Sequence, residues 1–207
     1  MQRHPDPGER PLVAFDFDGT LTCRDSFVAF LAWRAGAVGF AARLPRMLPA
    51  ALDYGRTRDR GPLKAAVAGL FLSGMTREAI ERAAEAFRDA HMASLMRPDA
   101  LRCWRDWRGR NARLYIVTAS PEILVAPFAE TLGADGLIGT RLAFDGEDCF
   151  TGRLDGLNCR GPEKVARLRA ALGPSVRLDA AYGDTDGDRE MLRLADIAGL
   201  KVFNARP

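Results

Sequence analysis

The chain has 207 residues, 47% of them hydrophobic and 28% charged, which is ordinary for a globular protein with one principal domain. Its four cysteines, Cys23, Cys103, Cys149 and Cys159, include no Cys-x-x-Cys pair, which argues against a zinc site or disulfide scaffold and points to a reducing, cytoplasmic setting. No window reaches the roughly 18 uninterrupted apolar residues of a spanning helix, and a net charge of +3 gives no reason to expect a nucleic-acid partner.

The first ten residues, MQRHPDPGER, are polar, carry two prolines and read as a frayed tail. Residues 11–15, PLVAF, form a short apolar run that stops at turn-forming residues, as a buried strand of a parallel sheet does. Asp16 and Asp18 follow at once, and alternation along an extended chain points both carboxylates to one side. Two carboxylates in one small volume push each other's pKa values apart, so one can attack or bind a cation while the other handles a proton. Gly19 permits the tight turn and Thr20 can hydrogen-bond back to fix it. A plain Asp-Gly turn at a strand end needs no second aspartate.

Residues 26 to about 97 contain no convincing strand. They are rich in Ala, Leu, Phe, Met and Arg, with breaks at Pro45, Pro49, Gly55 and Gly61-Pro62, and read as an inserted helical subdomain. From Arg24 to Lys64 eight basic residues stand against three acidic ones, a local balance of +5 that leaves −2 for the rest of the chain. Between Phe27 and Tyr54, apolar residues interleave with Arg34, Arg43 and Arg46. That composition suits a helix pair covering a core with its arginines outward, the commoner use of amphipathic helices, and also one lying against an anionic lipid surface.

Leu101, Trp104 and Trp107 or Arg108 define one face of the next helix, and residues 113–117, RLYIV, the next strand. Thr118-Ala119-Ser120-Pro121 ends that strand and opens a helix, with Ser120 as N-cap and Pro121 at the first helical position. Free amides and hydroxyls there can bind phosphate, although a capped helix start looks the same without a ligand. Two short strands around residues 145–148, DGED, suggest a small hairpin between Leu137 and Leu154. A helix follows with Val165, Leu168 and Leu172 on one face. Lys164 lies in its first turn, where the helix dipole disfavours a cation by roughly 0.3–1 kcal/mol, and it is one of only three lysines. A local rule broken without structural benefit points to function.

Residues 176–182 form a further strand, and Asp184, Asp186 and Asp188 follow it. Three acids in five residues suit a hard divalent cation, but the sixth and twelfth positions of a calcium loop counted from Asp184 are Arg189 and Ala195, which excludes an EF-hand. Capping of the helix over residues 189–194 accounts for one aspartate, not three. Residues 201–203, KVF, supply a last strand. His4 and His91 have no spacing that supports a metal or acid–base role.

Strands alternating with helices imply an α/β fold with a parallel sheet, in which ligands bind at the carboxyl ends of the strands. The acidic pair, the hydroxyl and the acidic cluster all sit at such ends, with the lysine at a helix start, so they can converge.

These four features, in this order, resemble the motifs of the haloacid dehalogenase superfamily of phosphohydrolases: Asp16-Phe-Asp18-Gly-Thr20, Thr118, Lys164, and Gly183-Asp184-Thr-Asp-Gly-Asp188. The closer likeness is to subfamily IB, which holds phosphoserine phosphatases. The resemblance implies a Rossmann-like three-layer core over residues 1–22 and 99–207, with residues 23–98 as a helical cap inserted between the first two motifs. It implies a magnesium-dependent phosphatase in which Asp16 forms an aspartyl phosphate and Asp18 acts as acid and base. Magnesium is then held by Asp16, the Asp18 carbonyl and Asp184; Thr118, Ala119, Ser120 and Lys164 hold the phosphoryl group; and Asp188 orders the metal shell or the lysine. Superfamily ATPases and dehalogenases lack the second aspartate, which favours phosphoester hydrolysis.

Phosphoserine phosphatases typically carry Glu nine residues after the nucleophile and two glycines after the second-motif hydroxyl. Here those places hold Asp25, expected to face the substrate, and Ala119-Ser120. The pattern looks more like that of phosphatidylglycerophosphatase C and its relatives, so the substrate expected is a small phosphorylated metabolite or a lipid phosphate, the latter with peripheral membrane contact through the basic cap. A receiver-like phosphoryl-responsive module and a phosphomutase are the alternatives. Receivers place the acidic pair before the acceptor aspartate, whereas here Asp18 sits beside it.

Overall fold

The first apolar run becomes β1 (Leu12–Phe15), which pairs in parallel with β2 (Arg113–Pro121) on one side and β5 (Leu178–Gly183) on the other. All four of its residues are buried, because a central parallel strand has no solvent face and no free edge. With β3 (Gly136–Phe144), β4 (Phe150–Asp155) and β6 (Ala195–Leu200) the sheet runs β4-β3-β2-β1-β5-β6, parallel except for the antiparallel edge strand β4. This computed structural model describes residues 10–57 and 60–207; His4 and all but the last residue of the predicted tail lie outside them.

Side chains of β1 alternate between two apolar clusters. Val13 and Phe15 join one that includes Trp104 and Trp107 of α5 (Pro98–Gly109) and Phe128 of α6 (Glu122–Thr131). Leu12 and Ala14 join the other, with Leu168 of α7 (Pro162–Leu172) and Met191 and Leu192 of α8 (Arg189–Leu192). Helices therefore cover both faces of the sheet, in a three-layer α/β arrangement.

Four α-helices precede α5 in the stretch between β1 and β2: α1 (Ser26–Ala41), α2 (Leu48–Thr57), α3 (Arg60–Leu72) and α4 (Arg77–Leu95). The α4 helix starts at an N-cap in which Thr76 Oγ1 accepts from the Ala79 amide, and it buries Ile80, Ala84, Phe87 and Leu95 along one stripe. Phe27, Phe30, Phe71 and Phe87 extend the first core cluster into this helical insert. Among the described residues, no single helix is long and apolar enough to cross a membrane.

Three sequence readings are corrected. The last strand is β6 at Ala195–Leu200, not residues 201–203; Lys201 has φ +56° and turns the chain out of the sheet. The alternation of β6 is obscured because it lies at an edge, with Asp196, Ile197 and Ala198 exposed. The hairpin before Leu154 is larger than expected, since β3 first pairs with β2 through Tyr115↔Gly136 to Val117↔Ile138 and only then turns into β4. Finally, β2 runs on through Pro121, so the helix begins at Glu122 and Ser120 makes no capping hydrogen bond.

Candidate active site

The chain leaves β1 for β2 on one side and, after β4, crosses back to add β5 on the other, so the carboxyl end of β1 is a topological switch point. Asp16 is the first residue past β1, and its amide continues the ladder to the Tyr182 carbonyl at 2.8 Å. Asp184 follows β5 directly. The two meet across Gly19, whose φ of +81° and missing Cβ are both required: a Cβ there would lie 2.1 Å from Asp184 Oδ2. Thr20 closes the turn as expected, its hydroxyl donating to Asp16 Oδ2 at 3.4 Å.

Lys164 is 1% exposed. Its ammonium donates to Asp16 Oδ1, the Val117 carbonyl and Asp188 Oδ1, each at 2.6 Å. All three ammonium protons are thus committed, which accounts for a lysine in the first turn of α7. Burial works against its charge, but Asp16 and Asp188 outweigh it and hold the pKa above the usual lysine value. Asp188 spends its other oxygen on the Asp184 and Thr185 amides and the Thr185 hydroxyl. Burial alone would raise its pKa, yet Lys164 and the Thr185 donors bring it below the normal carboxylate value. Burial pushes the Asp16 carboxyl up to about 7, with Asp188 and Asp18 adding to the rise and Lys164 opposing it. The Asp184 carboxyl is also raised, first by burial and then by Asp188.

Carboxylate oxygens of Asp16, Asp184 and Asp188 lie within 4.8 Å of one another. A set of hard oxygen donors with an excess of negative charge suits a divalent cation of the magnesium type. Asp188 is already engaged by Lys164 and the Thr185 turn, which leaves Asp16 and Asp184 with the more available oxygens. Asp186, the middle acid of the cluster, is exposed and pairs with Arg189 at 2.7 Å, away from the group.

Asp18 shares the cavity with Asp16, and two donors hold its carboxyl: the Ser26 amide to Oδ1 at 2.7 Å and the Ser120 hydroxyl to Oδ2 at 2.5 Å. Ser120 therefore positions an acid instead of capping a helix. Thr118 is fully buried and its Oγ1 accepts from the Ser120 amide at 3.0 Å. Ala119 lines the cavity wall, whereas Thr118 and Ser120 stand behind it. Asp25 caps α1 by accepting from the Val28 amide at 2.8 Å and also lines the cavity; enclosure in the wall and the neighbouring Asp18 raise its pKa.

The residue that sequence reasoning missed is Lys64. It reaches from α3 across to the core, where Nζ donates to the Ala119 carbonyl at 2.5 Å and sits 5.6 Å from the centre of the Phe27 ring. Burial lowers its pKa, against the pull of Asp18, Asp25 and Asp16. The signal was present: Lys64, Lys164 and Lys201 are the chain's only lysines, and all three line this one cavity of about 730 Å³. His91 lies apart, its ring packed against Trp33 and Phe87.

A buried carboxylate paired with a lysine at a switch point, with further acids converging on it, places the chain in a known class. Residues 13–193 match the haloacid dehalogenase-like hydrolase family, and the chain belongs to it. It is 55% identical over 201 residues to Protein CicA of Caulobacter vibrioides, covering 97% of this chain and 90% of that protein. It is 34% identical over 195 residues to the phosphoserine phosphatase of Halobacterium salinarum, covering 90% and 83% of the two. Among solved structures, a protein of unknown function from Bordetella pertussis Tohama I shares the fold with a TM-score of 0.74 at 24% identity, over 89% of this chain and 86% of that one. A substrate-bound phosphoserine phosphatase complex does so at 0.60 and 20% identity, over 91% and 84%.

Proposed function

We propose that the chain is a magnesium-dependent phosphatase that hydrolyses phosphate monoesters through an aspartyl phosphate on Asp16, with residues 23–98 forming a cap over the core. The observation that carries this reading is the pair of differently held carboxyls in one cavity: Asp16 buried against Lys164, and Asp18 oriented by Ser26 and Ser120. In the first step an Asp16 oxygen attacks phosphorus, the ester P–O bond breaks, and the leaving oxygen takes a proton from Asp18. In the second, Asp18 takes a proton from water, the hydroxide attacks phosphorus, and the bond to Asp16 breaks to release inorganic phosphate and restore both carboxyls.

Asp16, Asp184 and the main-chain carbonyl of Asp18 would hold magnesium, which offsets the negative charge of nucleophile and phosphate. Lys164 keeps Asp16 fixed and favours its ionised form, and Asp188 holds the lysine in place. The Ala119 amide is the phosphoryl-binding group in this reading, backed by Thr118, with Lys64 and Asp25 facing the remainder of the substrate. The relationship to the Halobacterium salinarum phosphoserine phosphatase supports the reaction class; a small phosphorylated metabolite or a lipid phosphate is the substrate.

Turnover of p-nitrophenyl phosphate tests the reading. Activity is expected with magnesium, and its loss with EDTA or in Asp16→Asn; an Asp16→Asn protein that turns over normally would overturn the nucleophile assignment.

A further inference from the structure

The arm formed by α1 and α2 is apolar and basic on the outside, and nothing among the described residues covers it. Residues 26–52 contain no acidic side chain but include Arg34, Arg43 and Arg46. Residues 44–57 are helical, a 3-10 turn at Leu44–Met47 running into α2, yet none of them is buried. That is unusual, because helices this short owe their stability to packing an apolar face. The face exists: Leu44, Leu48 and Leu52 recur every fourth residue and so form one stripe, and they are 47%, 60% and 69% exposed. Val38, near the end of α1, is 84% exposed. Helix α1 and the 44–57 segment turn through 106°, so the arm is bent and neither helix alone is long and apolar enough to span a membrane.

We infer that this stripe docks on an anionic phospholipid surface. Apolar side chains at van der Waals contact with acyl chains, ringed by the exposed Arg34, Arg46 and Arg56, match the pattern of an interfacial helix. A second copy of the chain fits less well, since an isologous contact sets the same arginines against each other, with Asp53 the single carboxylate on the arm to meet them. The same segment supplies Met47 and Tyr54 to the wall of the Asp16 cavity, beside the apolar Leu63 and Val67. Docking therefore sets the cavity at the headgroup layer, and the substrate class becomes a phosphate monoester carried by a lipid. This last step rests on the phosphatase reading; the docking itself does not.

The test is flotation of the full chain with phosphatidylcholine vesicles, with and without phosphatidylglycerol. The chain is expected to float with the anionic vesicles, less as salt rises, and Leu48→Ser with Leu52→Ser is expected to lower the bound fraction by about tenfold or more while p-nitrophenyl phosphate turnover stays unchanged. Asp16→Asn should float like the wild type although it turns over nothing, which separates failure of docking from failure of the reaction. Docking is overturned if the wild type stays soluble, if the double variant floats equally well, or if the chain forms a dimer that the double variant dissociates. Failure of the wild type to hydrolyse vesicle-borne phosphatidic acid while it turns over p-nitrophenyl phosphate would overturn the lipid substrate, and equal hydrolysis by wild type and double variant would overturn the role of docking in presenting it.

Discussion

In metal-free buffer, Asp16→Asn is expected to stabilise the protein above neutral pH. Burial moves the Asp16 carboxyl from 3.8 to about 7, roughly three units, and each unit is about 1.36 kcal/mol. The folded state therefore holds a proton on Asp16 across a window in which the unfolded chain has lost it. The corresponding stability is fully present below about pH 3.8 and is lost as pH rises through about 7, a decline of up to about 4 kcal/mol. Asparagine is neutral throughout, and its carboxamide oxygen still accepts from Lys164, so the variant does not share this decline. The gap should open between about pH 4 and 7 and then stay constant, approaching 4 kcal/mol less whatever relaxation of the site recovers. Urea unfolding in EDTA at pH 5 and pH 8 measures it, and saturating magnesium should restore stability to the wild type far more than to the variant. Identical pH dependence of the two proteins would refute the claim that burial governs Asp16.

Gly19→Ala combines a Cβ 2.1 Å from Asp184 Oδ2 with φ +81°; a loss of more than about 2 kcal/mol in urea unfolding and a fall in turnover are expected, because both Asp184 and the turn must shift. Lys64→Ala removes a charged donor from the cavity while leaving the Asp16–Lys164 pair intact, so KM should rise about tenfold to a hundredfold with a smaller effect on kcat. Asp99 accepts from the Ala100, Asn204 and Ala205 amides, and although burial alone would raise its pKa, these bonds bring it below the normal value. Asp99→Ala should therefore cost about 1–2 kcal/mol at neutral pH, with the difference from wild type fading as the pH falls below about 3.8, the wild type losing this contribution as Asp99 is protonated.

Most of the core was legible in the sequence because its strands are buried on both faces. A run such as LVAF needs no partner to be recognised, and the acids at its end announce a site. What was misread lay where that rule fails. The edge strand β6 exposes three successive residues and so resembles a loop. Ser120 has the residue type and position of an N-cap, but the strand continues for one more residue and turns its hydroxyl towards Asp18, 102 positions away in sequence. No local pattern contains that contact. Lys64 was hidden for the same reason, since its role depends on α3 leaning across to β2.

Lysine at position 164 has a physical rationale. Of the 30 basic residues only these three are lysines, and all three meet in the cavity. At Lys164 three acceptors at 2.6 Å surround a single nitrogen, from the residue after β1, from within β2 and from the turn after β5. A compact ammonium can satisfy such a set, whereas the planar, wider guanidinium directs its donors in one plane and needs more volume than a 1% exposed position leaves. On the outer surface that constraint vanishes, and arginine, with its broad and weakly hydrated head, suits the flanks of the apolar stripe on the α1–α2 arm. Lysine at position 164 thus follows from the task of fixing one buried carboxylate, and arginine on the arm from that of meeting a diffuse anionic surface.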